Sequence, residues 1–195
     1  GRPKQYIKHS NSLSELLKGT YSAYEPLIQE ADCNDFVKRN GLIVAVTSDV
    51  ALEKIQPEIS LKKNLGIKIK IFDQKQIQNI LPELDKSVRH AIFYEDVSHI
   101  NDPYKFSLKL FENVIKKGGK ILHKKAENFI TEKNRIKSIV IEDGEIQADA
   151  LVICAGAWSK KLAAKLGSKV PLETERGYSV SLPNPGIKLD YPVIS

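Results

Sequence analysis

Apolar positions along the chain follow two periods, and the shifts between them predict a mixed run of helices and strands. Leu13, Leu17, Tyr21 and Tyr24 recur at helical spacing, so a helix capped by Ser12 or Ser14 carries them on one face, most simply as core. Residues 1–10 read as extended and polar, and Pro26 is placed to open a second helix through Leu27 and Ile28 toward Val37. After the turn signal Asn40-Gly41, Leu42 to Thr47 reads as a strand. A helix from about Asp49 to Gly66 follows, broken or restarted at Pro57. Ile67, Ile69 and Ile71 alternate with Lys68 and Lys70, which predicts a half-buried strand. Gln74 to Leu81 reads as a short helix and Ala91 to Tyr94 as a strand.

In the second half, Asp102 is a helix cap with Pro103 in the first turn. Phe106, Leu110, Phe111, Val114 and Ile115 form that helix's apolar face, and Gly118-Gly119 ends it. Lys120 to His123 reads as a strand. Ile136–Ile141 and Glu145–Ala148 flank Asp143-Gly144 as a hairpin. Ala150 to Ala155 is an apolar run suited to a strand buried on both faces. Ala155-Gly156 then turns into a helix over Ala157–Leu166, stopped by Gly167, and Pro171 to Leu182 reads as one long strand.

Two of these stretches have candidate chemistry. A buried strand, a turn of small residues and a helix start expose main-chain N–H groups to a phosphate or another electron-rich cofactor group. The same residues also describe an ordinary strand-turn-helix, with Trp158 as a core anchor. In the last strand, alternation places Leu172, Thr174, Arg176, Tyr178, Val180 and Leu182 on one face. Arg176 beside Tyr178 suits a bidentate grip on a carboxylate. Alternatively, a bulge at Gly177 turns Arg176 outward to pair with Glu173 or Glu175.

Composition narrows the class. The chain has 195 residues, 42% hydrophobic and 28% charged, which is globular rather than disordered. Its net charge of +6 comes from lysines interleaved with acids. No aromatic-basic pattern accompanies them, so nucleic acid is not an expected partner, while weak attraction to an anionic membrane surface is allowed. No apolar run is long enough to span a bilayer, and no signal peptide is visible. Cys33 and Cys154 form no CxxC motif, and Cys154 falls in the run expected to be buried, which fits a reducing, cytoplasmic setting. His9, His90, His99 and His123 are scattered without metal-ligand spacing. The chain has no methionine and begins at Gly1, which predicts an internal piece or a processed product.

The run Leu151-Val152-Ile153-Cys154-Ala155-Gly156-Ala157-Trp158-Ser159, with Leu162-Ala163, Leu166-Gly167, Val170-Pro171-Leu172 and Glu175-Arg176-Gly177-Tyr178, resembles the second half of the D-amino acid dehydrogenases. These belong to the FAD-dependent D-amino acid oxidase superfamily, and the likeness extends more weakly over nearly the whole chain. The resemblance implies a mixed α/β (α+β) fold, in which part of a Rossmann-like FAD-binding layer is interleaved with an antiparallel-sheet substrate domain. It implies substrate-domain segments at 1–100 and 169–195 and part of the FAD-binding domain at 101–168. FAD would lie against Ala155, Gly156 and Trp158, with a main-chain contact to adenine at Ala126, where the family more often has valine. Arg176 and Tyr178 would serve the substrate.

The implied reaction is oxidative deamination of a D-amino acid to a 2-keto acid. The electron acceptor is open, a membrane quinone chain with peripheral membrane contact being one form. The family's opening GxGxxG segment and its C-terminal part are not found, so this piece alone is expected to be inactive. Ser179 stands where the family commonly has histidine, which puts a histidine role in substrate handling in doubt. The alternatives are a glycine- or sarcosine-type amine oxidase of the same superfamily, and a non-catalytic piece unable to hold flavin.

Overall fold

The computed structural model describes residues 3–195 as two compact units, 3–119 with 183–195, and 120–182. The class is mixed α/β, as expected. The helix α5 (Pro103–Lys116), assigned by resemblance to the cofactor part, packs within the first unit.

The first unit is built on a four-stranded sheet. Its strands are β2 (Leu42–Val46), β3 (Ile69–Asp73), β4 (His90–Tyr94) and β9 (Val193–Ile194), in the order β3-β4-β2-β9. β4 pairs antiparallel with both β2 and β3, and β9 joins β2 in parallel. Alternation along the strands splits the core in two. Ile43 and Ala91 face α4 (Gln74–Ile80) through Ile77, whereas Val46, Ile69 and Ile92 face α3 (Asp49–Asn64) through Ile59. Helices therefore cover both sheet faces. Gly41 enters β2 at φ +84°, where an added Cβ would collide with the Phe93 ring and lie 2.7 Å from the Tyr94 carbonyl oxygen. Only glycine suits that turn.

Side-chain caps start both helices that cover this sheet. Ser48 caps α3 by accepting from the Ala51 N–H at 3.2 Å. Asp73 and Gln76 form a capping box on α4. Pro57 neither breaks nor restarts α3, because Ile55 and Ile59 bind the helix to the sheet on either side of the missing N–H.

A smaller core joins α2 (Thr20–Glu30) to α5 and to a ribbon of β1 (Val37–Lys38) and β5 (His99–Ile100). Ile28, Ala31, Cys33 and Phe106 are its buried members. Asp102 caps α5 through the Lys105 N–H at 3.0 Å. That bond holds its carboxyl below the ordinary value. Phe106 and Leu110 face inward, whereas Phe111, Val114 and Ile115 are exposed.

The N-terminal expectations need correction. Pro3–Leu17 is a helix, α1, so the stretch read as extended is helical from Pro3 onward; residues 1–2 lie outside the described residues. Pro at the first helical position is well suited to that role. Pro26 lies inside α2, which ends at Glu30 well short of Val37. Leu13 and Leu17 lie in α1 and Tyr21 and Tyr24 in α2, so the single helical face expected for them is divided between two helices, and all four are exposed rather than core.

The second unit is a meander of β6 (Asn128–Glu132), β7 (Arg135–Ile141) and β8 (Gly144–Gln147), followed by a 3-10 turn at Gly156–Trp158 and α6 (Ser159–Lys165). The expected β7–β8 hairpin forms, with Glu142-Asp143 rather than Asp143-Gly144 as its loop and Gly144 as the first residue of β8. The β6–β7 hairpin was missed. Its loop, Lys133-Asn134, holds both residues at positive φ, the requirement of a tight primed turn. Three predicted strands are absent among the described residues: Lys120–His123, Ala150–Ala155 and Pro171–Leu182. These segments have strand-like sequences but no ladder partner, and pairing is what stabilises a strand.

Candidate functional site

The segment that leads into the site is extended but unpaired. Leu151, Ile153 and Ala155 are half-buried, while Val152 and Cys154 are exposed. The expected burial on both faces is thus corrected to burial on one. Cys154 is a free, exposed thiol, whereas Cys33 is free and buried.

At Ala155 the chain turns as expected. Gly156 takes φ +51°, and a Cβ added there meets nothing within 4 Å. The Trp158 N–H donates to the Ala155 carbonyl at 3.0 Å, and the Ser159 hydroxyl accepts from the Ala155 N–H at 3.1 Å. Ser159 therefore occupies one of the N–H groups that the sequence left open to a ligand. Gly167, at φ +77°, closes α6, with the Ser168 N–H reaching back to the Ala163 carbonyl. Trp158 is 70% exposed, so it is not a core anchor.

Beside Trp158 lies a cavity of about 1150 Å³. Its walls are Lys124 to Asn128, Val140, Ala155, Trp158, Lys161, Leu162 and Lys165. Three of the four residues expected at a cofactor, Ala126, Ala155 and Trp158, thus share one wall, and Gly156 sits between the last two in sequence. The Glu127 N–H donates to the Val140 carbonyl at 2.8 Å and fixes the segment on β7. The Ala126 main chain has no hydrogen-bond partner among the described residues, so it is available to a ligand. Four lysines against Glu127 make the rim positive. Lys124 is tied to Asp143 at 2.6 Å. Sequence reasoning missed this lysine rim. Its signal was there in the spacing of Lys161 and Lys165, one helical turn apart.

Arg176 and Tyr178 are not brought to this cavity. Both are exposed, Tyr178 at 88%, and the alternation of faces expected there is absent. The alternative pairing of Arg176 with Glu173 or Glu175 is not formed either, and Glu173 instead lies 3.4 Å from Lys160.

Of the four histidines, His90 pairs with an acid, whereas the buried Nδ1 of His99 has no partner among the described residues. The His90 ring lies 2.6 Å from Asp49, with Arg89 on the other carboxylate oxygen at 3.4 Å. The bond with His90, more than the charges around it, holds the Asp49 carboxyl below its ordinary value. Among the described residues no cluster of three or more His, Cys, Asp or Glu could hold a metal ion, and no helix is long and apolar enough to cross a membrane.

The structure bears on an FAD fit directly. Small side chains at Ala126 and Ala155 leave room for a flat group, Trp158 presents an aromatic face, and the lysines complement phosphate charge. Solved structures share this fold. They include an L-proline dehydrogenase from P. horikoshii, with a TM-score of 0.66, 21% identity, and coverage of 80% of this chain and 42% of that one. A glycine oxidase from Geobacillus kaustophilus gives a TM-score of 0.65 at 16% identity, over 86% of this chain and 44% of that one. In sequence, a D-amino-acid oxidase from Bradyrhizobium diazoefficiens is 30% identical over 91% of this chain and 42% of its own length. A D-amino acid dehydrogenase from Vibrio atlanticus is 27% identical over 75% of this chain and 36% of its own length. The chain spans about two fifths of the length of these curated relatives. Residues 3–194 match the family model described as "DAO: FAD dependent oxidoreductase", and the chain belongs to that FAD-dependent family.

Proposed function

We propose that this chain is part of an FAD-dependent enzyme that oxidatively deaminates D-amino acids to 2-keto acids, and that residues 120–182 supply part of its FAD site. The observation that carries the reading is the shared cavity wall of Ala126, Ala155 and Trp158 beneath a rim of lysines. FAD, when bound, supplies a two-electron acceptor for the hydrogen of the substrate α-carbon.

The chain's own residues bind and orient. The main chain at Ala126 would serve the adenine of FAD, and Gly156 would allow its close approach without a side chain. Lys124, Lys125, Lys161 and Lys165 offset phosphate charge. Arg176 and Tyr178 are proposed for the substrate carboxylate. Their support is that both side chains are exposed, with no ion pair or hydrogen bond among the described residues. The electron acceptor is proposed to be a membrane quinone chain, reached by peripheral contact from the cytoplasm, in keeping with the positive net charge.

The test is flavin content and turnover of the full-length protein carrying this chain. Bound FAD, with reduction by D-alanine and other D-amino acids but not L-amino acids, is the expected result. A second reading is an amine oxidase acting on glycine or sarcosine. It is supported by a Pseudomonas putida glycine oxidase that is 30% identical over 51% of this chain and 28% of its own length. A kcat/KM higher for glycine or sarcosine than for any D-amino acid selects that reading. A purified full-length protein without flavin discards both.

A further inference from the structure

We propose that the first unit contains a second small-molecule site, one that takes a free α-amino acid with a branched or aromatic apolar side chain. The site is a cavity of about 330 Å³ between α2, α5 and the β1–β5 ribbon. That is the small end of the ligand-pocket range, suited to a single amino acid. It shares no residue with the lysine-rimmed cavity.

Its floor is apolar, made of Ile28, Val37, Ile100 and Phe106. At its edge Glu25 and Arg39 form an ion pair at 2.7 Å, each a little over two-fifths exposed. An apolar recess with a positive and a negative group side by side at its edge is the complement of a zwitterion, whose carboxylate and ammonium each replace one half of the Glu25–Arg39 contact. The guanidinium grips the α-carboxylate, the Glu25 carboxylate takes the α-ammonium, and the side chain fills the recess.

Other chemistries fit less well. A phosphate would gain Arg39 but meet Glu25, and a plain hydrocarbon would gain nothing from the Glu25–Arg39 pair. The wall is already ordered. The Tyr21 hydroxyl donates to the Asp96 carbonyl at 2.7 Å and accepts from the Ser98 N–H at 3.1 Å, so little freedom is lost on binding. Two polar groups on the wall are unspent. The Tyr24 hydroxyl has no partner among the described residues, and the buried Nδ1 of His99 has none either.

The test titrates the 195-residue chain with L-leucine by calorimetry, alongside 4-methylvalerate, which lacks the ammonium, and isoamylamine, which lacks the carboxylate. Saturable leucine binding is expected, with each analogue at least about tenfold weaker. Arg39→Gln should weaken leucine by about tenfold without weakening isoamylamine, and Arg39→Lys should recover part of the loss. Val37→Trp, which fills the recess, should abolish binding. Should that core variant fail to fold, the half-exposed Arg39 variants decide alone. The proposal is overturned by no saturable leucine binding, by equal binding of the analogues, or by a leucine affinity that Arg39→Gln leaves unchanged. The last result would also place any leucine elsewhere.

Discussion

Ala126 and Trp158 line one cavity, although one precedes β6 and the other lies in the 3-10 turn before α6. The β6–β7–β8 meander brings them together, since Val140 of β7 anchors Glu127 beside Ala126 and also lines the cavity. A contact set this scattered in sequence acts as a unit only if the meander holds.

Trp158→Ala tests whether that wall serves a ligand. With the ring 70% exposed, its loss should change stability by no more than about 0.5 kcal/mol. Flavin retained per folded full-length protein should fall. A large drop in melting temperature with unchanged flavin content would instead mean that the ring packs.

Gly156→Val should lower flavin occupancy and keep most of the fold. A Cβ at this position meets no atom within 4 Å, so the side chain enters open space. The φ of +51° adds strain, for which Gly156→Ala is the control at about 1 kcal/mol. Flavin absorbance beside a thermal melt separates the two effects. Full occupancy in the folded valine variant would remove this turn from the cofactor site.

Ile92→Ala should cost about 2–5 kcal/mol, because Ile92 is 2% exposed and packs with Val46, Ile59 and Ile69 beneath α3. Urea denaturation followed by circular dichroism measures it. A loss below about 1 kcal/mol would mean that this half of the core collapses around the gap.

Asp49 should make stability depend on pH in a predictable direction. Its folded-state carboxyl is held below the ordinary value by His90, then by the surrounding charge that includes Arg89. A carboxyl so lowered contributes stability above its unfolded value of about 3.9, and that contribution is lost as pH falls through the lower folded value. Wild type should therefore exceed Asp49→Asn in denaturation midpoint near neutral pH, with the gap closing in acid. A gap that widens as pH falls would contradict the sign.

Thiol reactivity should divide the two cysteines. Cys154 is exposed, whereas burial raises the Cys33 thiol and its side chain faces the Ala31 and Phe106 carbonyls. A thiol reagent should label one site rapidly in the native chain, and Cys154→Ser should abolish that phase. Two fast sites would contradict the burial of Cys33.

Local chemistry determined much of this molecule. Asp102-Pro103 starts α5 and Ser48 starts α3; each needs only neighbours in sequence. The β7–β8 hairpin and the turn at Gly156 were legible for the same reason. Tertiary structure alone decided which strand-like runs become strands. Leu42–Val46 finds β4 and β9, whereas Leu151–Ala155 and Pro171–Leu182 find no partner among the described residues and leave Val152 and Tyr178 more than four-fifths exposed. Tertiary structure also decided the fate of two prolines, since packing against β2 and α5 outweighs one missing hydrogen bond in α3 and α2. The convergence of Ala126, Ala155, Trp158 and the lysines belongs to that second class. Periodicity assigns a residue to a face, but only the register of β6, β7 and β8 decides which faces meet.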